Sequence, residues 1–293
     1  MIEWQEYLER TARQNKSLAC FGLDPAIERI PLKEGNAEQK IVNFYTEILD
    51  ACEAEGCLPG AVKPNYAFFA QYGFEGLRAL KQVIDRAKKM KLPVLLDGKR
   101  GDIGNSSKAY AQELFGFWQA DAVTVAPYMG SDSVKPFIEF AEKHGKGVYV
   151  LARTSNAGAK DFQDLTVAGK KLYLAVAEKI VEWGAQGKGN VGAVVGATSL
   201  QELGEINALF AKAKQAVPLL IPGVGAQGAK AGEVVAELKK AGKSLAVHRI
   251  NSSSELNYAY EKQDAHGTQG VQDFAGASVK ALKQLNKDIG GFG

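Results

Sequence analysis

Short apolar, β-branched runs alternate along this chain with longer amphipathic stretches, the pattern left by buried parallel strands and the helices that cover them. Eight runs stand out: Ser17 to Leu23, Gly60 to Lys63, Pro93 to Asp97, Ala122 to Val125, Gly147 to Leu151, Gly192 to Val195, Pro218 to Ile221 and Leu245 to Ile250. Helical spacing fills the gaps, over Glu38 to Glu55, Gly76 to Met90, Ser107 to Trp118, Val134 to His144, Leu172 to Trp183, Leu200 to Lys214 and Ala229 to Lys240. A further helical stretch, Gln269 to Asn286, closes the series, and the glycine-rich end, Gly290 to Gly293, reads as frayed. This alternation predicts an α/β fold, a closed (β/α)8 barrel; an open doubly wound sheet is the other arrangement that writes a similar string. No linker or charge block interrupts it, so a single domain over residues 1–293 is expected.

Charge and cysteine content narrow the partners. Thirty-six basic against thirty-three acidic residues leave a net +3, without a dense basic cluster interleaved with aromatics, which argues against a polymeric nucleic acid. The mild excess of positive charge permits a small anionic substrate. Cys20, Cys52 and Cys57 are odd in number and lack C-x-x-C spacing, which speaks for a reducing compartment and against zinc. The start, Met1-Ile2-Glu3-Trp4, has no basic region followed by an apolar run, and no stretch is long enough to span a bilayer. A cytoplasmic protein is expected.

In a barrel, functional residues gather at the C-terminal ends of the strands. The third run leads into Asp97-Gly98-Lys99-Arg100-Gly101-Asp102-Ile103, where a two-residue period puts Asp97 and Lys99 on one face and Asp102 on the loop. Two carboxylates flanking an ammonium hold it charged and rigid, which suits delivery of a proton to a carbanion. A surface salt bridge, or Asp102 as a helix cap, fits the same residues. The second run ends at Lys63 and the first at Asp24, so four charged residues meet at the tops of three adjacent strands.

Across the barrel, Ile221-Pro222-Gly223-Val224-Gly225-Ala226-Gln227-Gly228 is a glycine-rich loop, and the loops after strands seven and eight are where barrels often hold phosphate. Asn251, Ser252 and Ser253 add donors at the eighth strand. Glycine also simply ends strands, and a polar loop looks alike. Thr154 and Ser155, in Arg153-Thr154-Ser155-Asn156, suit the polar edge of a heterocycle but on their own read as an ordinary turn. His144 and His248 have no evident acid or base partner and read as structural or exposed, and Tyr128 either lines the pocket or packs.

Taken together, GLDP, AVKPN, LLDGKRGDIGNS, ARTSNAG, IPGVGAQG and NSS, in this order over nearly the whole chain, resemble the orotidine 5′-phosphate decarboxylase family, in its longer bacterial and archaeal branch. The resemblance implies decarboxylation of orotidine 5′-phosphate (OMP) to UMP in pyrimidine biosynthesis, without metal or organic cofactor. It implies that Lys63, Asp97, Lys99 and Asp102 form the catalytic network, with Lys99 protonating C6. A homodimer is implied, Asp102 and Ile103 completing the neighbouring site. Asp24 is expected at the ribose, Ser106 at the substrate, Thr154 or Ser155 at the pyrimidine, and Gly225, Gln227, Asn251, Ser252 and Ser253 around the phosphate.

One departure stands out, because the branch usually carries an arginine after N-S-S and this chain has Ser254. Losing a charged hydrogen bond to phosphate costs about 1.5–3 kcal/mol. Arg249, two residues before Asn251, is a candidate substitute. The alternatives are a magnesium-dependent barrel of the hexulose-phosphate synthase and keto-gulonate-phosphate decarboxylase type, against which Lys63 speaks, and a catalytically silent nucleotide-binding barrel.

Overall fold

The computed structural model describes residues 2–185, 187, 189–225, 229–263 and 273–291. Eight parallel strands form its centre: β1 (Ala19–Leu23), β2 (Ala61–Pro64), β3 (Leu95–Arg100), β4 (Ala122–Val125), β5 (Gly147–Arg153), β6 (Val191–Val195), β7 (Leu219–Ile221) and β8 (Arg249–Ser252). The ladder runs β2-β1-β8-β7-β6-β5-β4-β3 in these labels. Bridges Val62–Val94 and Asn65–Asp97 return β3 to β2, and the Val62 N–H donates to the Pro93 carbonyl at 2.9 Å. These contacts curl the sheet into a nearly closed barrel and settle the choice against an open doubly wound sheet.

The covering helices are α1 (Trp4–Asn15), α2 (Ala37–Ala54), α3 (Tyr66–Ala70), α4 (Gly73–Lys89), α5 (Gly104–Ala111), α6 (Ser131–His144), α7 (Leu172–Gly184), α8 (Leu200–Ala211), α9 (Ala231–Lys239), α10 (Ser254–Asn257), α11 (Ala259–Gln263) and α12 (Phe274–Ile289). Local chemistry fixes several ends. Asn36 starts α2 by accepting from the Gln39 N–H at 3.0 Å while the Gln39 side chain accepts from the Asn36 N–H, a reciprocal cap that satisfies two orphan donors. Gly145, at φ +63°, ends α6 in the left-handed conformation. None of the described helices is long and apolar enough to cross a membrane.

Several boundaries differ from those expected. The eighth run does not begin at Leu245, because Leu245–Val247 forms a 3-10 turn and the strand starts at Arg249. The Ser107 to Trp118 helix is α5 followed by a π segment, Gln112–Phe117. The closing helix begins at Phe274, and 269–272 lie outside the described residues.

Alternate strand residues point inward. Cys20, Ala61, Leu95, Ala122, Tyr149 and Leu220 form the interior cluster, and Trp4 and Leu8 of α1 complete it. Helix α1 thus plugs the N-terminal mouth, its Trp4, Leu8, Thr11 and Ala12 stripe buried; each large apolar side chain so buried contributes roughly 1.5–3 kcal/mol. Continuing the same alternation upward, Lys63 follows Ala61, Asp97 follows Leu95 and Thr124 follows Ala122, so polar groups fill the interior at the opposite, C-terminal mouth.

Arg249 lies at the plugged end, fully buried. Its guanidinium donates to the carbonyls of Gly60, Ala246, His248 and Leu8 at 3.1, 2.9, 2.7 and 2.7 Å and to the Thr11 hydroxyl at 3.0 Å. It ties α1 to β2 and β8 at the bottom of the barrel and cannot reach the phosphate end, which corrects the expectation that it stands in for the arginine missing at Ser254. Burial lowers its pKa to about 10, so it remains charged at neutral pH. Beside it, buried His248 accepts the Leu219 N–H on Nδ1 at 3.1 Å, and burial, then the Arg249 charge, lowers its pKa to about 4.

Two outcomes follow. Arg249→Ala removes a charged donor from four carbonyls and leaves a void, and urea unfolding should show a loss on the order of 3–5 kcal/mol. Because His248 is more easily protonated in the unfolded chain, its contribution is complete above about pH 6.5 and is lost as pH falls toward 4. The loss reaches on the order of 3 kcal/mol. His248→Asn, which keeps an acceptor for the Leu219 N–H, should flatten that part of the stability–pH curve; an unchanged curve contradicts the assignment.

Candidate active site

Asp97 is the hub of the open mouth. Its carboxylate accepts from Lys63 Nζ at 3.1 Å, from Lys99 Nζ at 2.8 and 2.7 Å, and from the Thr124 hydroxyl at 2.7 Å. Lys63 and Asp97 are 5% and 8% exposed, whereas the Lys99 side chain is 49% exposed. One buried cation therefore backs the carboxylate, and a second, accessible cation fronts it.

The backbone achieves this by leaving regular strand geometry. The β3–β4 register shifts between Leu96 and Arg100, and Lys99 has φ +42°, a left-handed conformation that costs a non-glycine residue of order 1 kcal/mol or more. The Lys99 N–H is held there by the Thr124 hydroxyl at 2.9 Å. Asp97 and Lys99 do meet as the period predicts, through a bulge rather than an uninterrupted strand.

Charge follows from this packing. Burial pushes the Asp97 carboxyl up, but the ammonium groups of Lys63 and Lys99 outweigh it and hold Asp97 well below the usual carboxylate range. Burial likewise pulls Lys63 down, and Asp97 and Asp24 more than compensate, leaving it above the usual lysine range.

Asp102 does not join the hub within this chain. Its carboxylate accepts from the Ile103 N–H at 2.8 Å, and the loop is fastened by the Ser107 hydroxyl donating to the Asp102 carbonyl. Lys99 is thus flanked by one carboxylate among the described residues, not two. Arg100 braces the loop from behind, lying over the rings of Tyr66 and Tyr110 at 4.5 and 4.9 Å and pairing with Glu113 at 3.1 Å. Ile103 is 51% and Tyr128 88% exposed; Tyr128 neither packs nor lines the hub. Ser106 is exposed on α5.

At the neighbouring rim, Asp24 Oδ1 is buried with no hydrogen-bond partner among the described residues. Gly22 precedes it because a side chain there would run into the Ser253 hydroxyl. Thr154 accepts from Gln163 Nε2 at 2.8 Å and donates to Asn156 at 2.6 Å, so its hydroxyl is engaged internally, while Ser155 rests against Gly196 and Gly223, where a Cβ would approach it within 2.9 and 3.3 Å. Buried Arg153 anchors this loop by pairing with Glu202 at 3.0 Å and Asp164 at 3.2 Å. Gly225 has φ +126°, and Gln227 lies outside the described residues. Asn251 and Ser252 are buried at the end of β8, and Asn257 braces that loop, donating to the Gly22 and Ser253 carbonyls at 2.7 Å.

Thr124, Arg153 and Asn257 are the positioning groups that sequence reading passes over. Thr124 alone left a trace, as a hydroxyl in the apolar run Ala122 to Val125.

The burial asymmetry yields a test. Asp97→Ala strands the Lys63 charge in the barrel and should cost on the order of 3–5 kcal/mol in urea unfolding. Lys99→Ala, at a half-exposed position, should stay within about 1 kcal/mol of wild type; equal losses contradict this geometry.

A sequence model described as "Orotidine 5'-phosphate decarboxylase / HUMPS family" matches residues 18–265. The orotidine 5'-phosphate decarboxylase of Rhodopirellula baltica is 36% identical over 312 residues, covering 99% of this chain and 100% of that one. The structure of Leishmania donovani OMP decarboxylase superposes with a TM-score of 0.73 at 31% identity, covering 98% of this chain and 99% of that one. Leishmania donovani UMP synthase gives a TM-score of 0.76 at 32% identity, where 98% of this chain spans 57% of the longer one. The chain belongs to the orotidine 5′-phosphate decarboxylase / HUMPS family.

Proposed function

We propose that this protein is an orotidine 5′-phosphate decarboxylase, converting OMP to UMP and carbon dioxide in pyrimidine biosynthesis, and that the chain is a single catalytic barrel domain. The carrying observation is the Lys63–Asp97–Lys99 hub, with Asp97 ionised and Lys99 facing the open mouth. The bond between C6 and the substrate carboxylate breaks, the electron pair stays on C6 as carbon dioxide departs, and Lys99 gives its proton to C6. Its amine regains a proton from solvent. A fixed ammonium beside the developing carbanion stabilises charge where it forms and needs no reorganisation when it forms. Lys63 keeps Asp97 charged, and Asp97 with Thr124 keeps Lys99 in place.

The family description also covers barrels whose relatives use magnesium, and the geometry favours the metal-free reading. A buried ammonium 3.1 Å from Asp97 occupies the place beside the carboxylate where a cation would need to be held. Among the described residues, three groups supply the rest of the proposed site: Asp24 for the ribose, Thr154 and Ser155 with Ser106 for the base, and Gly225, Asn251, Ser252 and Ser253 for the phosphate. Gln227 joins the phosphate set in this reading. Three unpaired buried thiols support a cytoplasmic enzyme.

We also read the working unit as a homodimer, with Asp102 and Ile103 crossing into the neighbour's site. This is supported by the Asp102 carboxylate meeting the Ile103 N–H rather than its own hub and by Ile103, Tyr128 and Met129 lying exposed at 51%, 88% and 47%.

Absorbance change on adding protein to OMP with excess EDTA should show turnover in the wild type. Lys99→Ala should lose on the order of 10²–10⁴-fold. No wild-type turnover, or turnover abolished by the chelator, contradicts the reading. Lys99→Ala and Asp102→Ala, each inactive alone, should recover about one quarter of wild-type activity when unfolded and refolded together, because half the dimers are hybrids with one complete site. Absence of recovery contradicts a shared site.

A further inference from the structure

The rim between β7 and β8 opens into a cavity of about 460 Å³ whose lining includes Gly223, Asn251, Ser252, Ser253, Arg29 and Lys262. We propose that Arg29 and Lys262 grip the phosphate of the substrate in this cavity, in place of the arginine that Ser254 does not supply. The inference rests on the decarboxylase reading and names the cations of that same site.

The cavity already has the neutral half of an anion site. Asn251 is 7% exposed, and its Nδ2 reaches the Ser253 hydroxyl at 3.4 Å, so an amide donor and a hydroxyl stand together at the rim. Side-chain hydroxyls and an amide donate to a phosphate dianion but leave its charge uncompensated, which an Arg or Lys supplies together with further donors. Ser254 is exposed and uncharged, and Arg249 is spent at the far end of the barrel.

Arg29 is preoriented for the task. Its Nε and Nη2 donate to Glu261 at 2.9 and 2.6 Å, and its guanidinium lies 3.6 Å over the Tyr258 ring. Tyr258 is itself pinned, donating to the Asp24 carbonyl at 3.0 Å and accepting from the Ala26 N–H at 2.8 Å. The Tyr260 hydroxyl donates to the Arg29 carbonyl. Among the described residues, the two Nη1 hydrogens have no acceptor. A guanidinium fixed on one edge and free on the other loses little conformational freedom when it takes up an anion.

Lys262 is held more loosely. Its ammonium lies 3.3 Å from Glu255, with the two side chains 67% and 36% exposed, a contact worth little in water and readily exchanged for a dianion. The Glu255 carboxylate lies against Gly225, where a Cβ would come within 2.5 Å of it, so the anion that Lys262 now meets sits at the entrance to the glycine-rich loop.

The test reads binding of UMP and of uridine, which differ only in the phosphate, by NMR titration of the full chain. Arg29→Ala and Lys262→Ala should each weaken UMP roughly ten- to a hundredfold and leave uridine unchanged. Adding Ser254→Arg to Arg29→Ala should restore at least part of the UMP affinity. Unchanged UMP affinity in both variants, or equal weakening of UMP and uridine, overturns the proposal. Should Arg29→Ala fail to fold, Arg29→Lys and Lys262→Ala carry the comparison. Since binding is read, a chain that loses UMP with Arg29 but never turns over OMP overturns the decarboxylase reading and leaves the clamp standing. A wild type that binds no UMP overturns both.

Discussion

A carboxylate buried in a protein interior has to be charged by its neighbours or not charged at all, and Asp97 is charged because two ammonium groups converge on it. The rest of the mouth depends on that constraint. Lys63 is held as an ammonium in the barrel chiefly by Asp97, with Asp24 adding to it, and Lys99 accepts a left-handed backbone and a bulged strand to reach the same oxygens. Thr124 meets the two demands that remain, donating to the carboxylate and accepting from the displaced Lys99 N–H. The result is a proton donor held by strong charged bonds at the edge of solvent.

The two ends of the barrel solve opposite problems with the same alternation of strand residues. At the N-terminal end the inward positions are apolar and α1 seals them, with Arg249 satisfying carbonyls that no water can reach. One turn of the pleat further along each strand, the inward positions become Lys63, Asp97 and Thr124. The closed end thereby serves stability alone while the open end carries chemistry as well, so Arg249 and Asp97, both buried and both charged, carry different functions.

The barrel was legible because buried parallel strands leave short β-branched runs, and the runs fell at every strand. Ala122 to Val125 matched to the residue. What misled was strand eight, where Leu245–Val247 is apolar for the sake of a 3-10 turn and Arg249 only then begins the strand. Helix α1 precedes the first strand and so lies outside the strand–helix alternation, although Trp4, Leu8, Thr11 and Ala12 carry its period. At the site, Lys63, Asp97 and Lys99 were readable from strand ends and spacing. Thr124 and Asn257 were not, because one hydroxyl or amide in a sequence does not disclose which carboxylate or carbonyl the fold will bring to it. Arg249 is only a candidate from the sequence for a similar reason: alternation gives a face of the strand and says nothing of which mouth of the barrel the side chain serves.

The central claim is that Asp97 stays ionised between two lysines. Its most direct measure is the carbon-13 chemical shift of the Asp97 carboxyl group, followed by NMR as pH is lowered in wild type and in Lys63→Ala. The account predicts no titration of Asp97 in the folded wild type through the ordinary carboxylate range near pH 4, and a rise of its pKa when Lys63 is removed. Titration of the wild-type carboxyl at the ordinary value contradicts the hub and, with it, the mechanism built on Lys99.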